Sequence, residues 1–433
     1  METNHQQNTS KTTTDYILGN SHPRPNHSLH LGRFYALDGS LGATISLDIS
    51  KPHVTLIAGK RGYGKSYTMG VFLEEFNRLS KNVKSLYSCI VIDTLGIFWT
   101  LNYPNHKQKK LLSTWQSFPE QTPISMLHTS KTDPMVFSQL KKRHRLQLPT
   151  SLLTAEQWCH LFELSSNQPE AILLTNVILS LQSSEDTYSL TDIKKAAYNI
   201  PTAKKETIQH LQNLLSQAES WHLFSTDQNL YSSLIHPGEI TIVDLSFLES
   251  THLKQIITGI IAEILFYDRI NQRKSEEYQQ ITNQQQTPSS PYIFLAIDEA
   301  HLFLPEKQSS YVKEVLLHNW LRQGRQPGLS VIMATQRPSF MDQEVLSHSD
   351  IVLCHRLTAE EDIQSLTKLR PTYMKGDIQE TIKQIGTEKG VALIIDDVVE
   401  TAHVIKIRPR KSWHGGGEPI PSLETVILET DIS

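Results

Sequence analysis

The residues best suited to chemistry lie in the stretch Val54-Thr-Leu-Ile-Ala-Gly-Lys-Arg-Gly-Tyr-Gly-Lys-Ser-Tyr-Thr68. It fits Gly-x-x-x-x-Gly-Lys-[Ser/Thr], with Gly59, Gly64, Lys65 and Ser66 on the fixed positions. Glycines at these places let the backbone curl so that successive N–H groups point inward at phosphate oxygens. The helix that follows adds the partial positive charge of its N-terminus. Lys65 is then placed to reach the β- and γ-phosphates of ATP, and the Ser66 hydroxyl to ligate Mg²⁺. The expected phosphate cradle comprises Gly59, Lys60, Arg61, Gly62, Tyr63, Gly64, Lys65, Ser66 and Tyr67. A chance glycine-rich turn would lack the flanking pattern. Here an apolar strand precedes the turn, and Met69, Phe72, Leu73 and Phe76 follow it at helical spacing.

A second constellation lies far along the chain. The apolar run Tyr292-Ile-Phe-Leu-Ala-Ile297 has the character of a strand buried on both faces, and it ends in Asp298-Glu299. Beside a phosphate-binding turn, Asp298 is expected to hold Mg²⁺ and Glu299 to polarise the attacking water. Another buried run, Leu329 to Ala334, ends in Thr335-Gln336, and Gln336 could sense the γ-phosphate or orient the water. Between them, Arg322 and Arg325 end a helix expected from Ser310 to about Gly324. They are either cations complementing a helix C-terminus or an arginine finger for a neighbouring subunit's nucleotide. Asp93, after the strand Ser88 to Ile92, is either a further site carboxylate or the start of a turn at Gly96.

These residues need a sheet to align them, and the rest of the sequence supplies its strands. A chain of 433 residues with 38% hydrophobic and 20% charged residues can bury a large core. The net charge of −4 carries no global nucleic-acid signature, so any DNA site has to be a local patch. Cys89, Cys159 and Cys354 have apolar neighbours and no CxxC spacing, which points to reduced core thiols. Nineteen histidines show no HxH or HExxH pattern, so no zinc site is expected. No apolar segment is long enough to span a membrane, and no secretory signal is evident; the expected location is cytoplasmic.

The expected organisation is an α/β core of RecA-like type, with a mostly parallel sheet and an all-helical insertion. Residues 1–30 are polar and read as a disordered tail. Residues 31–133 carry the phosphate-binding turn, opening with a hairpin around Asp38-Gly39. Residues 134–236 lose strand character and show helical periodicity, with capping signals at Thr154-x-x-Gln157 and Thr191-Asp192. Residues 237–411 return to strands and hold the acidic pair, the arginines and Gln336. The segment Gln272 to Ser290 reads as a mobile linker, 412–433 as a flexible tail, and the basic run Arg408-Pro-Arg-Lys411 that leads into it also reads as flexible.

Taken together, Gly59 to Gly70, Asp298-Glu-Ala-His301, Arg322-Gln-Gly-Arg325 and Ala334-Thr-Gln-Arg-Pro338 resemble the HerA branch of the FtsK–HerA ATPases. The resemblance covers about residues 49–110 and 238–410. It implies a ring-forming, usually hexameric motor that translocates double-stranded DNA, often with a nuclease of the NurA type. It also implies phosphate and Mg²⁺ roles for Lys65 and Ser66, catalysis for Glu299, a sensor role for Gln336, and the finger for Arg322 or Arg325. Such proteins usually begin with a β-barrel that meets the nuclease. Only about fifty residues precede the Val54 strand, so a full barrel is not expected here and a NurA-type partner is less well supported.

Three alternatives compete. A two-domain DEAH-type helicase would need a second RecA-like domain, and only 97 residues follow Gln336. A small-molecule kinase would need a lid-like arginine cluster. An ATP-gated assembly or regulatory protein with a non-DNA client stays open, and stimulation of turnover by DNA would discriminate it from the motor.

Overall fold

The computed structural model describes residues 15–417, except 37, 130–139, 228, 285–289 and 369–371. The strands in chain order are β1 (Tyr16–Leu18), β2 (Ser28–Tyr35), β3 (Leu41–Asp48), β4 (Val54–Ala58) and β5 (Tyr87–Asp93). Then come β6 (Ser125–His128), β7 (Lys142–Arg145), β8 (Leu148–Pro149), β9 (Phe224–Ser225) and β10 (Ile240–Asp244). The last five are β11 (Tyr292–Ile297), β12 (Leu329–Thr335), β13 (Ile351–His355), β14 (Val391–Asp396) and β15 (Thr401–Ile407).

Thirteen of these form one sheet in the order β1-β3-β2-β15-β14-β13-β4-β12-β11-β5-β10-β6-β7. From β13 to β7 every pairing is parallel. On the other side β14, β15, β2 and β3 pair antiparallel, and β1 closes that edge parallel to β3. Strands buried on both faces read as continuous apolar runs, which is why β4, β5 and β11 are recognisable without alternation.

Alternate residues of each strand serve opposite faces. Leu56 and Ala58 of β4 enter the core shared with the helical layer, which includes Ile257, Ile260 and Trp320. Ile57 enters the core on the other face, against Met69, Phe72, Leu73 and Phe76 of helix α1 (Lys65–Arg78). Burying such side chains contributes about 2 kcal/mol each. That anchors the helix whose first turn carries Lys65 and Ser66.

The helical layer contains Ala155–Leu161, Pro169–Ser184, Leu190–Tyr198 and Lys205–Ser220. Thr154 and Gln157 form the expected reciprocal cap, while the cap of the third helix is Ser189 with Asp192 rather than Thr191. The region 134–236 is not wholly helical, however. Lys142–Arg145 is a strand that joins the main sheet beside β6, and β8 and β9 form a small pair of their own. Residues 134–139 lie outside the described residues.

Three further expectations change. The tail expected over residues 1–30 ends sooner: β1 pairs with β3, Leu18 is fully buried, and the Gly19 N–H donates to the Asp396 carboxylate at 2.6 Å. Residues 1–14 lie outside the described residues. The segment from Gln272 is helical as far as Ile281, because it continues the long helix Thr251–Ile281, tied by the buried Arg269 to Glu276. Finally, Arg408, Arg410, Lys411 and Ser412 are buried, not flexible. The Glu74 carboxylate on α1 gathers them. It accepts from Arg408 Nη1 at 2.8 Å, Arg410 Nε at 3.4 Å, the Lys411 N–H at 3.1 Å and the Ser412 N–H at 2.9 Å. Residues 418–433 lie outside the described residues. The β14–β15 hairpin forms, but β15 is covered by β2 and is not an edge. Cys89 and Cys354 are buried free thiols, and Cys159 is partly buried and free.

Candidate active site

Parallel registry brings the chemistry-bearing residues to one line. β4 lies between β12 and β13, with Ala58 level with Thr335 and Cys354. Gly59 therefore leaves the sheet beside Gln336 and His355. On the far side of β12, β11 ends at Ile297, and Asp298 and Glu299 follow it. This is the carboxyl edge of the strands, where open α/β sheets place ligands.

The turn itself needs glycine for two separate reasons. Gly64 has φ +114°, a backbone conformation that side chains disfavour. A Cβ on Gly59 would come within 2.7 Å of His355 Cβ. His355 is fully buried and fixes this wall. Its Nδ1 donates to the Val391 carbonyl at 3.0 Å, so Nε2 accepts from the Thr68 hydroxyl at 2.8 Å. Burial lowers its pKa to about 4, which keeps the ring neutral beside a cationic loop. The loop is also held from β13's far end: the Lys60 N–H donates to the Arg356 carbonyl at 2.9 Å. The Arg356 guanidinium lies 5.3 Å from the centre of the Tyr63 ring.

Lys65 is buried, and its ammonium donates to the Lys60 carbonyl at 3.3 Å. Burial lowers its pKa, while Glu299 and Asp298 oppose that shift. A buried ammonium facing two carboxylates, with one long hydrogen bond to a carbonyl, has spare donors for an anion. The Ser66 hydroxyl donates to Asp298 Oδ2 at 3.1 Å, and Asp298 Oδ1 accepts the Glu299 N–H at 3.0 Å. Asp298 is fully buried, and its pKa is raised by that burial.

Glu299 adopts φ +52° and ψ +45°, a left-handed conformation that costs about 1 kcal/mol or more outside glycine. The kink carries the acidic pair off the end of β11. Its Oε1 accepts from Gln336 Nε2 at 2.6 Å, and its buried Oε2 has no hydrogen-bond partner among the described residues. His301 Nδ1 lies 3.3 Å from that oxygen. Burial lowers the His301 pKa to about 4, so this approach is not a charged pair near neutral pH. The Glu299 pKa is raised, chiefly by burial and then by Asp298. An acidic pair with an unsatisfied oxygen beside a buried lysine has the chemistry of a site for Mg²⁺, phosphate and an attacking water.

The structure thus brings together Lys65, Ser66, Asp298, Glu299 and Gln336. Arg61 and Lys60 are exposed on the loop. Tyr67 is engaged elsewhere, since its hydroxyl accepts the Arg410 N–H at 2.6 Å and donates to Gln108 Oε1 at 2.9 Å. Arg322 and Arg325 stand apart from these groups. They follow Tyr311–Glu314 and a π-helical stretch, Val315–Leu321. Arg322 is gripped by Glu344 through Nε at 2.8 Å and Nη2 at 2.6 Å, while Arg325 is exposed.

Asp93 takes the turn role. Its carboxylate accepts the N–H groups of Leu95, Gly96 and Phe98 at 3.2, 2.8 and 2.8 Å. Burial, then the neighbouring Asp244, raises its pKa to about 7. His355, Thr68 and Arg356 are site residues that the sequence reading missed. A histidine closing an otherwise apolar buried strand was the available signal for His355.

Residues 29–264, more than half of the chain, match the model of the family described as helicase HerA, central domain. The DNA double-strand break repair helicase HerA of Pyrococcus furiosus is 25% identical over 222 residues, covering 46% of this chain and 39% of that protein. Its namesake from Sulfolobus acidocaldarius is 23% identical over 186 residues, 42% of this chain and 34% of that protein. The matched segment thus spans well under half the length of these relatives. The structure of VirB4 of Thermoanaerobacter pseudethanolicus is similar with a TM-score of 0.52 at 14% identity, covering 90% of this chain and 98% of that one, and shares the fold. No described helix is long and apolar enough to cross a membrane. By the family match over more than half its length, the chain belongs to the HerA family of P-loop ATPases.

Proposed function

We propose that the chain hydrolyses ATP with Mg²⁺ in a homo-oligomeric, hexameric ring and uses the energy to translocate double-stranded DNA. On this reading it serves DNA processing, repair or defence together with a partner nuclease. The observation that carries the catalytic part is the Glu299 carboxylate near Lys65: Gln336 holds its Oε1, and its buried Oε2 is without a hydrogen-bond partner among the described residues. The names of its relatives, repair helicases in two organisms, support the DNA part.

In this mechanism Lys65 and the loop N–H groups hold the β- and γ-phosphates. The Ser66 hydroxyl and Asp298 carboxylate are the ligands available to Mg²⁺, whose charge neutralises phosphate oxygens when bound. Glu299 aligns a water and takes its proton; burial, by raising its basicity, suits it to that role. Gln336 fixes the orientation of that carboxylate. Arg325, exposed beyond the π-helical stretch, reaches the nucleotide of the adjacent subunit.

The test is ATP turnover with and without linear duplex DNA, using Lys65→Ala as the blank, alongside the mass of the assembly in solution. Duplex-stimulated turnover absent from the blank is expected. Turnover indifferent to duplex would move the assignment to an ATP-gated assembly protein with another client.

A further inference from the structure

The net charge of the chain is −4, yet Lys141-Lys-Arg-His-Arg145 packs four fixed cations and a histidine into five consecutive residues, with no acidic residue from 134 to 155. All five are exposed. Four of them form β7, the last strand of the sheet beyond β6. In an extended strand, side chains two apart share a face and sit about 6.6 Å from one another. Arg143 and Arg145 of β7 therefore lie on one face, and Lys141 immediately precedes the strand. On the opposite side Lys142 pairs with Glu239. Beside these cations lies a groove of about 440 Å³, whose lining includes His144, Arg145, Gln147, Ser232, Ser233 and His236. Asp227 also lines it.

We propose that this edge is a sugar–phosphate binding surface for duplex DNA, separate from the nucleotide site. A run of closely placed, exposed cations suits the successive phosphates of a strand, and the neighbouring hydroxyls and amide supply neutral contacts to the same backbone. No base-reading geometry is implied, so binding is independent of sequence. The inference rests on the DNA reading above and deepens it by naming residues. The competing role is protective: charges on an edge strand prevent pairing with another chain.

The experiment uses the full chain with Lys141, Arg143 and Arg145 all changed to Gln, and a charge-conserving control, Lys141→Arg, Arg143→Lys, Arg145→Lys. Binding of a labelled mixed-sequence duplex is followed by fluorescence anisotropy over a series of salt concentrations. The Gln variant is expected to lose at least about tenfold in affinity at 0.1 M salt. Its plot of log affinity against log salt should be shallower by about 2 to 3, at about 0.9 for each phosphate that is no longer neutralised. The control and the affinity for an ATP analogue should both stay as in the parent chain. Unchanged affinity and slope in the Gln variant would overturn the surface while leaving the DNA motor standing. Self-association of that variant, with its slope unchanged, would assign these cations to edge protection. Failure of the parent chain to bind duplex at all would overturn the DNA reading and this surface with it.

Discussion

Gln336 at the tip of β12 donates to Glu299 Oε1 at the tip of β11, 2.6 Å away, and leaves Glu299 Oε2 buried and, among the described residues, unpartnered. The amide holds the carboxylate in one orientation with its second oxygen free for a water. Glu299→Gln should keep ATP binding and lower turnover by about 10²- to 10⁴-fold. Gln336→Ala should lower kcat by about 10- to 100-fold with little change in KM, as expected for losing a hydrogen bond to a charged group. Steady-state kinetics and a fluorescent nucleotide titration separate the two. A Glu299→Gln chain that turns over normally would remove the base from that residue.

The same carboxylate sets an acid limit on activity. Its pKa is raised by burial and by Asp298, so it becomes protonated, and useless as a base, at a higher pH than a free glutamate. The acidic limb of kcat against pH should lie above the ordinary glutamate range and should be missing from the residual activity of Glu299→Gln.

Lys65→Ala should abolish nucleotide binding with little effect on folding, since among the described residues the ammonium's one hydrogen bond is to the Lys60 carbonyl. Isothermal titration with a non-hydrolysable ATP analogue reads the first, and a urea unfolding curve the second.

The two arginines should separate cleanly. Arg325→Ala should keep ATP binding and ring formation but lose about 10³-fold or more in turnover, the scale of an arginine finger. Arg322→Ala breaks a solvent-exposed pair with Glu344 and should spare much of the activity. The reverse pattern in turnover would assign the finger to Arg322.

His355 contributes a loss of stability on the acid side. His355 is buried with its pKa lowered to about 4, below the unfolded value of 6.5. The folded state binds fewer protons than the unfolded one in this window, so the contribution is complete above about 6.5 and is lost as pH falls toward 4. At about 1.4 kcal/mol per pH unit the loss is about 3 kcal/mol. His355→Gln should flatten the curve between pH 6.5 and 4, measured by urea midpoints.

Much of this arrangement was legible because each part is local. A glycine-rich turn between an apolar strand and an amphipathic helix, or an acidic pair ending an apolar run, is written in adjacent residues. The parts that were missed depend on distant partners. Arg408 to Ser412 read as a loose basic tail because nothing nearby in the sequence announces Glu74, 334 residues from Arg408 in the hydrogen bond they share. Lys142–Arg145 lacks apolar residues and so carried no strand signal; its pairing with β6 supplies what its composition does not. Asp93 could be read two ways from its position, and only the three amides that surround it decide.

The order of synthesis runs against the order of the sheet. β4, which bears the phosphate-binding loop, leaves the ribosome among the first strands, but its neighbours β12 and β13 begin at residues 329 and 351. The helix that follows the loop waits longer still, until Arg408 and Arg410 arrive to neutralise the buried Glu74. A growing chain therefore has no assembled cradle in which to hold a nucleotide. Competence to bind ATP should therefore appear only once synthesis has passed these arginines, and fragments ending before residue 408 should show no binding when titrated with an ATP analogue.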